Sequence, residues 1–298
     1  MTTIVSGAEA MTGECSEQEL RATAKLLLTK EHIVVLVGAG ISAAAGIRPF
    51  RGLQSLSAHH TRMFQASTMN TDTDGFADYM NDLRSQCRNA SPTLFHHMLS
   101  QLQEREQLKW LFTQNIDGLE GRLRALSPIT THLHGCLDSL FCLRDASHRF
   151  AFDEPHHIYD TCPQCESEQA RRPSTSNGYD EDGRRRSSRL SQLAGRLRPD
   201  IVLYGEATPD EDSKACQLRQ VRNVPKPDAL IIAGTSLAVP KAPLVVETLV
   251  GGLRSDGEVF WINPQAPPSY LLRLVTADVR ASADHFAQAV MQLMQGGS

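Results

Sequence analysis

The chain has no long apolar run, few aromatic residues and no dominant sign of charge. The uncharged stretch 33–47 is 15 residues long and already holds three glycines, whereas a membrane-crossing helix needs about 20 predominantly apolar residues. It also lies too deep in the chain for a secretory signal, so neither a span nor a signal peptide is expected. The 30 Lys and Arg nearly balance 34 Asp and Glu, leaving a net charge of −4. Such a balance gives no general electrostatic reason to bind nucleic acid or an anionic membrane, and any basic contact would be local. Seven cysteines, an odd number with no regular framework, argue against a disulfide-stapled scaffold. Free thiols or metal ligands in a reducing compartment are expected instead, in cytosol, nucleus or an organelle matrix.

What is present is an ordinary globular composition, with 41% hydrophobic and 21% charged residues over 298 positions. That length allows one large core and a smaller module. Ser16 and Glu19 form a capping-box pattern ahead of 20-LRATAKLLL-28. Ser91 and Pro92 read as N-cap and first residue of a helix through 94-LFHHMLSQL-102. Short apolar runs recur at 33-IVVLV-37, 109-KWLFT-113, 129-ITTHL-133, 200-DIVLY-204, 228-DALIIAG-234 and 258-EVFWIN-263, with helix-capable sequence between them. Strand and helix alternating in this way predict an α/β fold, a mostly parallel sheet with helices on both faces.

Two segments interrupt the alternation. Residues 53–90 are polar with scattered Met, Phe and Tyr, which suits a helical excursion. Residues 136–195 carry four cysteines and then the Arg, Ser and Asp-rich tract 166–189, which is expected to be mobile. Its basic end, 184–189, reads as a solvated loop, with a localisation signal or a basic contact patch as the alternative.

The chemistry-bearing residues stand at strand ends, where an open α/β sheet places its ligand. The strand 33–37 runs into Gly38-Ala39-Gly40, a turn suited to a nucleotide phosphate. Gln114, Asn115 and Asp117 follow 109–113, and His134 and Gly135 follow 129–133. Gly205 and Glu206 follow 200–204, Gly234, Thr235 and Ser236 follow 228–233, and Asn263 ends 258–262.

In this order GAGIS, TQNID, LHG, VLYGE, GTSL and WIN resemble the sirtuin family of NAD-dependent protein-lysine deacylases, over about residues 31–290. The segments 91-SPTLFHHML-99 and 195-GRLRPDIVLYGEATPDE-211 are similar to its fungal nuclear branch, which deacetylates histones. The resemblance implies a Rossmann-like NAD-binding domain from 16–52, 91–135 and 196–298. A small domain would comprise the excursion 53–90 and a zinc module at 136–195. In the family reaction the acetyl-lysine oxygen attacks a ribose carbon as nicotinamide leaves, and a histidine then takes a proton from a ribose hydroxyl. His134 matches that base, a role suited to neutral imidazole. Asn115 and Asp117 match the pair that holds the nicotinamide ribose and a water, and Gln114 a ribose contact. Gly38, Ala39, Gly40, Ser42, Gly234, Thr235, Ser236 and Asn263 match phosphate and adenosine contacts. Val202, Tyr204, Gly205 and Glu206 match the wall of the acyl-lysine tunnel.

The chain departs from the family in two places. Where the family has two Cys-x-x-Cys pairs, this sequence has Cys142-x-x-Asp145 and Cys162-x-x-Cys165. A zinc site of Cys142, Asp145, Cys162 and Cys165 is expected, with His148 equally suited as fourth ligand. Where the family reads Gly-Ile-Pro-Asp-Phe-Arg, this chain reads 46-GIRPFR-51. Phe50 and Arg51 match the aromatic and the cation of the cofactor loop, but Pro49 replaces the aspartate that contacts the nicotinamide carboxamide. The implied function is NAD-dependent lysine deacetylation of acetylated protein, with histones as substrate, in the nucleus, or alternatively in cytoplasm or mitochondrial matrix. A scaffold binding NAD or acyl-lysine without catalysis, and mono-ADP-ribosyl transfer, are the alternatives.

Overall fold

The computed structural model describes residues 15–47, 58–153, 155–171, 195–206, 218, 226–239 and 242–296. Its centre is a six-stranded sheet in the order β3-β2-β1-β7-β8-β9, with every pairing parallel. The strands are β1 (Ile33–Val37), β2 (Leu108–Thr113), β3 (Thr130–His132), β7 (Ala229–Ala233), β8 (Glu258–Ile262) and β9 (Ala277–Val279). All five residues of β1 are buried, as are all five of β7. Both therefore read as unbroken apolar runs rather than alternating ones, the mark of a sheet covered on both faces.

Strand periodicity sorts those residues into two cores. Ile33, Val35, Val37, Ile231 and Phe260 face a layer made by α1 (Glu17–Leu28), α5 (Leu94–Glu104) and α8 (Ala283–Gly296). Val34, Leu36, Ile232 and Trp261 face the other way, against Val246 and Leu249 of α7 (Ala242–Val250). α1 begins with the expected capping box, the Glu19 amide donating to Ser16 Oγ and the Ser16 amide to Glu19 Oε2. α5 begins two residues later than the sequence suggests. Thr93 is its N-cap rather than Ser91, and the Thr93 hydroxyl donates to the Ile41 carbonyl, which ties the helix to the turn after β1.

A second unit is built from the two interruptions. Helices α2 (Ala58–Met63), α3 (Thr68–Thr71) and α4 (Thr73–Asn89) form the expected helical excursion. They pack on an antiparallel sheet, β5 (Arg149–Ala151), β4 (Gly135–Cys142) and β6 (Leu197–Ile201), through a core that includes Phe76, Met80, Leu140 and Leu197. Two expectations are corrected here. The run 200–204 is not a strand of the large sheet: β6 ends at Ile201 and pairs with β4, so the chain rejoins the large sheet only at β7 and the boundary at 196 falls too early. The tract expected to be mobile from 166 begins as helix, because α6 (Pro163–Arg171) runs through its first six residues. The rest of that tract, including the basic residues 184–189, lies outside the described residues. No helix among the described residues is long and apolar enough to cross a membrane.

Candidate active site and metal centre

After β1 the chain moves outward to β2 and β3, and it returns through β7 on the other side of β1. The crevice between the carboxyl ends of β1 and β7 is thus the topological switch point, where open sheets of this kind bind ligands. Gly38, Gly40 and Gly234 are needed there for backbone contact. A Cβ on Gly40 would lie 2.7 Å from the Gly234 Cα, and one on Gly234, whose φ is +61°, would lie 2.5 Å from the Ile41 amide nitrogen. The glycines thus let two strand-end turns close on each other, and the Gly40 amide donates to the Gly234 carbonyl at 2.7 Å. Ala39 and Ser42 belong to the 3-10 helix Ala39–Ala45 that follows.

The loop after β2 enters the same crevice. The Gln114 amide donates to the Val37 carbonyl, and its side-chain oxygen accepts from the Thr235 hydroxyl at 3.0 Å. Asn115 is buried, its amide donating to Thr113 Oγ1 and its Nδ2 to Ser42 Oγ at 3.2 Å. Asp117 is buried too. Burial raises its pKa, against the lowering effect of the Leu119 amide and the Ser42 hydroxyl. Asn263, at the end of β8, is 3% exposed. Asn115 Oδ1 and Asn263 Nδ2 have no solvent contact and no hydrogen-bond partner among the described residues. A buried acceptor and a buried donor left open at a switch point are what a polar ligand with hydroxyls and an amide would complete. Ser236 is exposed beside Thr235.

His134 sits in the turn between β3 and β4, half-buried, with its carbonyl accepting from the Val202 amide at 2.9 Å. Gly135, with φ +81°, is obligatory next to it, because a Cβ there would lie 1.9 Å from the Asp200 carbonyl oxygen. Val202 and Tyr204 are half-buried, and Tyr204 bridges to the excursion through hydrogen bonds with Phe64 and Ala66. Gly205 has φ +88°. Glu206 turns inward: its two oxygens meet the Arg198 guanidinium in a bidentate pair at 2.7 Å each, and Oε1 also accepts from the Leu203 amide. Phe50 and Arg51, with Arg48 and Pro49, lie outside the described residues.

Sequence reasoning missed Glu120, the buried carboxyl behind Asp117. It is wholly buried, neither oxygen meets a well-formed hydrogen bond among the described residues, and burial followed by the Asp117 charge, against the lowering effect of the nearby Thr113 hydroxyl, pushes its pKa up to about 8. Its only trace in the sequence is a carboxylate three residues after Asp117, a spacing that a solvated loop shows equally often.

The cysteine module gathers Cys142, Cys162, Cys165 and His148, all buried, with ligand atoms within 4.8 Å of one another. Asp145 is not in this cluster. Its side chain is half-exposed, and Oδ1 accepts from the Ser147 amide and hydroxyl. Cys142 Sγ to Cys165 Sγ is 3.5 Å, and His148 Nδ1 is 3.5 Å from both Cys162 Sγ and Cys165 Sγ. Zinc bonds of about 2.3 Å to sulfur and about 2.0 Å to nitrogen give tetrahedral edges of roughly 3.5–3.8 Å, so three thiolates and one imidazole fit structural zinc.

A model of the Sir2 family matches residues 38–241. The NAD-dependent protein deacetylase hst4 of Emericella nidulans is 34% identical over 281 residues, covering 84% of this chain and 44% of that protein. The protein of the same name from Schizosaccharomyces pombe is 32% identical, covering 82% and 62%. The NAD-dependent histone deacetylase HST4 of Saccharomyces cerevisiae is 29% identical, covering 81% and 70%. This chain therefore spans less than two thirds of the length of the first two of these relatives. Among solved structures, a Sir2 homologue in complex with NAD shares the fold with a TM-score of 0.70 at 24% identity, over 96% of this chain and 97% of that one. With strand-end glycines, a β2 loop, a β3 histidine and a thiol-rich module all in the expected order, and with the family model spanning more than half of the sequence, the chain belongs to the Sir2 family.

Proposed function

We propose that this chain is an NAD-dependent protein-lysine deacetylase that moves an acetyl group from lysine to ADP-ribose, with acetylated histones as substrate and the nucleus as its place of action. The observation that carries the reading is the pair of buried atoms without a hydrogen-bond partner among the described residues, Asn115 Oδ1 and Asn263 Nδ2, in the β2 loop and at the end of β8 on either side of the switch point. When bound, NAD supplies a ribose carbon that accepts the acyl oxygen while nicotinamide departs. Asn115, already oriented through Ser42, offers Oδ1 to a ribose hydroxyl or a water. Asp117 orients the same group. His134 would take the proton from the ribose hydroxyl, a role that requires its imidazole in the neutral form. Val202 and Tyr204 line the path of the acyl-lysine, and Glu206 is held by Arg198, which fixes the turn that ends this wall. The histone substrate and the nuclear place rest on the names of the fungal relatives.

One observation favours a second reading, a scaffold that binds NAD or acyl-lysine without turnover: Pro49 stands where the family carries a nicotinamide-contacting aspartate. Incubation with an acetylated histone peptide and NAD, followed by mass spectrometry, decides between them. The expected products are deacetylated peptide, nicotinamide and O-acetyl-ADP-ribose in equal amounts; His134→Ala should lose deacetylated peptide and O-acetyl-ADP-ribose, with nicotinamide release confined to the step before the base acts, while calorimetric NAD binding persists. Binding without product supports the scaffold, peptide gaining ADP-ribose supports mono-ADP-ribosyl transfer, and absence of NAD binding overturns both the enzyme and the NAD scaffold.

A further inference from the structure

His148 is 7% exposed and presents its two ring nitrogens to different surroundings. Nδ1 faces the sulfurs of Cys162 and Cys165. Nε2 faces outward, 3.3 Å from Glu168 Oε1 and 3.6 Å from Asp145 Oδ2. A neutral imidazole has one N–H, so a metal bond at Nδ1 requires the proton on Nε2, and whichever acceptor meets that proton fixes the tautomer and the ring plane. Asp145 lies beyond hydrogen-bond distance, and its other oxygen is occupied by Ser147. Glu168 lies one helical turn after Cys165 on α6, so one helix face carries both a ligand and the acceptor. The backbone is also set, since the His148 amide donates to the Asp145 carbonyl and the His148 carbonyl accepts from the Cys142 amide, each at 3.0 Å.

We propose that Glu168 is the positioning residue of a metal-binding His148, accepting a hydrogen bond from the Nε2–H so that Nδ1 completes a three-thiolate, one-imidazole zinc site, and that Asp145 stands outside the coordination sphere. The carboxylate makes the imidazole a better donor and holds its plane toward the metal. Asp145, at the sequence position of a family cysteine, shapes the turn that delivers His148.

The test uses the zinc-loaded full chain with chelator competition and with cobalt in place of zinc. Glu168→Ala should weaken metal affinity by about 10–100-fold, and Glu168→Gln, which keeps an acceptor oxygen, should recover most of it. Asp145→Ala should change affinity less than His148→Ala does. In case His148→Ala does not fold, His148→Cys supplies a fourth thiolate, and in that background Glu168→Ala should have no effect on metal affinity. Nitrogen NMR of labelled histidine should show metal at Nδ1 and a proton at Nε2. An unchanged affinity in Glu168→Ala, the same loss in both backgrounds, a larger loss in Asp145→Ala than in His148→Ala, or metal at Nε2 would each overturn the proposal.

Discussion

Removing the charge option from Glu120, by Glu120→Gln, tests the buried carboxyl behind the site. Glu120 is wholly buried, and its surroundings are the Thr113 hydroxyl, the Asp117 carboxyl and the Cys136 thiol, itself pushed up to about 12 by burial and nearby carboxylates. None of these is cationic, so the folded state holds Glu120 neutral up to about pH 8, whereas the unfolded chain releases the proton near 4.5. The folded state therefore binds more protons than the unfolded state through that window, and stability falls as pH rises across it. At about 1.4 kcal/mol per pH unit, the full span is roughly 4–5 kcal/mol. Half of that, about 2 kcal/mol, would still move Tm by several degrees in a protein of this size. His96 contributes a slope of the opposite sign: burial pushes it down to about 4, so its contribution is present above the usual histidine range and lost as pH falls toward 4. That slope is common to both proteins and cancels in their difference. The assay is thermal or denaturant unfolding of both proteins at pH 5 and pH 8. Glutamine adds a pH-independent cost or gain for a buried amide, but the advantage of Glu120→Gln over the parent should grow by about 2–4 kcal/mol from pH 5 to pH 8. A difference that is flat across this range, or that shrinks with rising pH, would refute the reasoning.

The Arg198 and Glu206 pair gives a stability prediction, because Arg198 is 2% exposed and its guanidinium meets both oxygens of one carboxylate. Glu206→Gln should destabilise by about 3–5 kcal/mol by stranding a buried charge, and Arg198→Met with Glu206→Gln should recover much of it, as read from urea unfolding. The segment 48–51 lies outside the described residues, and on sequence grounds Arg48→Pro with Pro49→Asp restores the family carboxylate. It should raise turnover roughly tenfold, the lower end of what a charged hydrogen bond supplies, with stronger nicotinamide inhibition in the same steady-state assay.

Much of the large domain was legible because its signal is local. An apolar run such as 33-IVVLV-37, ended by Gly-Ala-Gly, fits a doubly covered strand and a tight turn, and those residues form that strand. The capping box at Ser16 is equally local. By contrast, 200-DIVLY-204 has the same apolar look, yet the chain pairs Leu197–Ile201 with β4 and, beyond it, Tyr204 pairs with the excursion at Phe64 and Ala66. Composition cannot distinguish the two, since a short strand buried in an antiparallel sheet and one in a parallel sheet use the same residues. Thr93 displaced Ser91 as helix cap for a tertiary reason: its hydroxyl reaches the Ile41 carbonyl, 52 positions away.

The same division runs through the site. The residues proposed to face a ligand are polar at the ends of apolar strands, a contrast visible in the chain itself, which is why Asn115, Asp117, His134 and Asn263 could be put forward from it. Residues that hold those groups in place are recognisable only from what surrounds them. Glu120 and Arg198 are charged side chains in polar stretches, where solvent exposure is the ordinary outcome, and burial alone turns one into a neutral acid and the other into an anchor for Glu206. The metal module shows the rule from the opposite side. Spacing pointed to Asp145 as readily as to His148, and the choice fell to His148 because the turn 145–148 aims the imidazole inward while Ser147 holds the Asp145 carboxylate at the surface. A ligand set is thus fixed by the direction of a turn, and direction is a property of the folded backbone rather than of the residues counted along it.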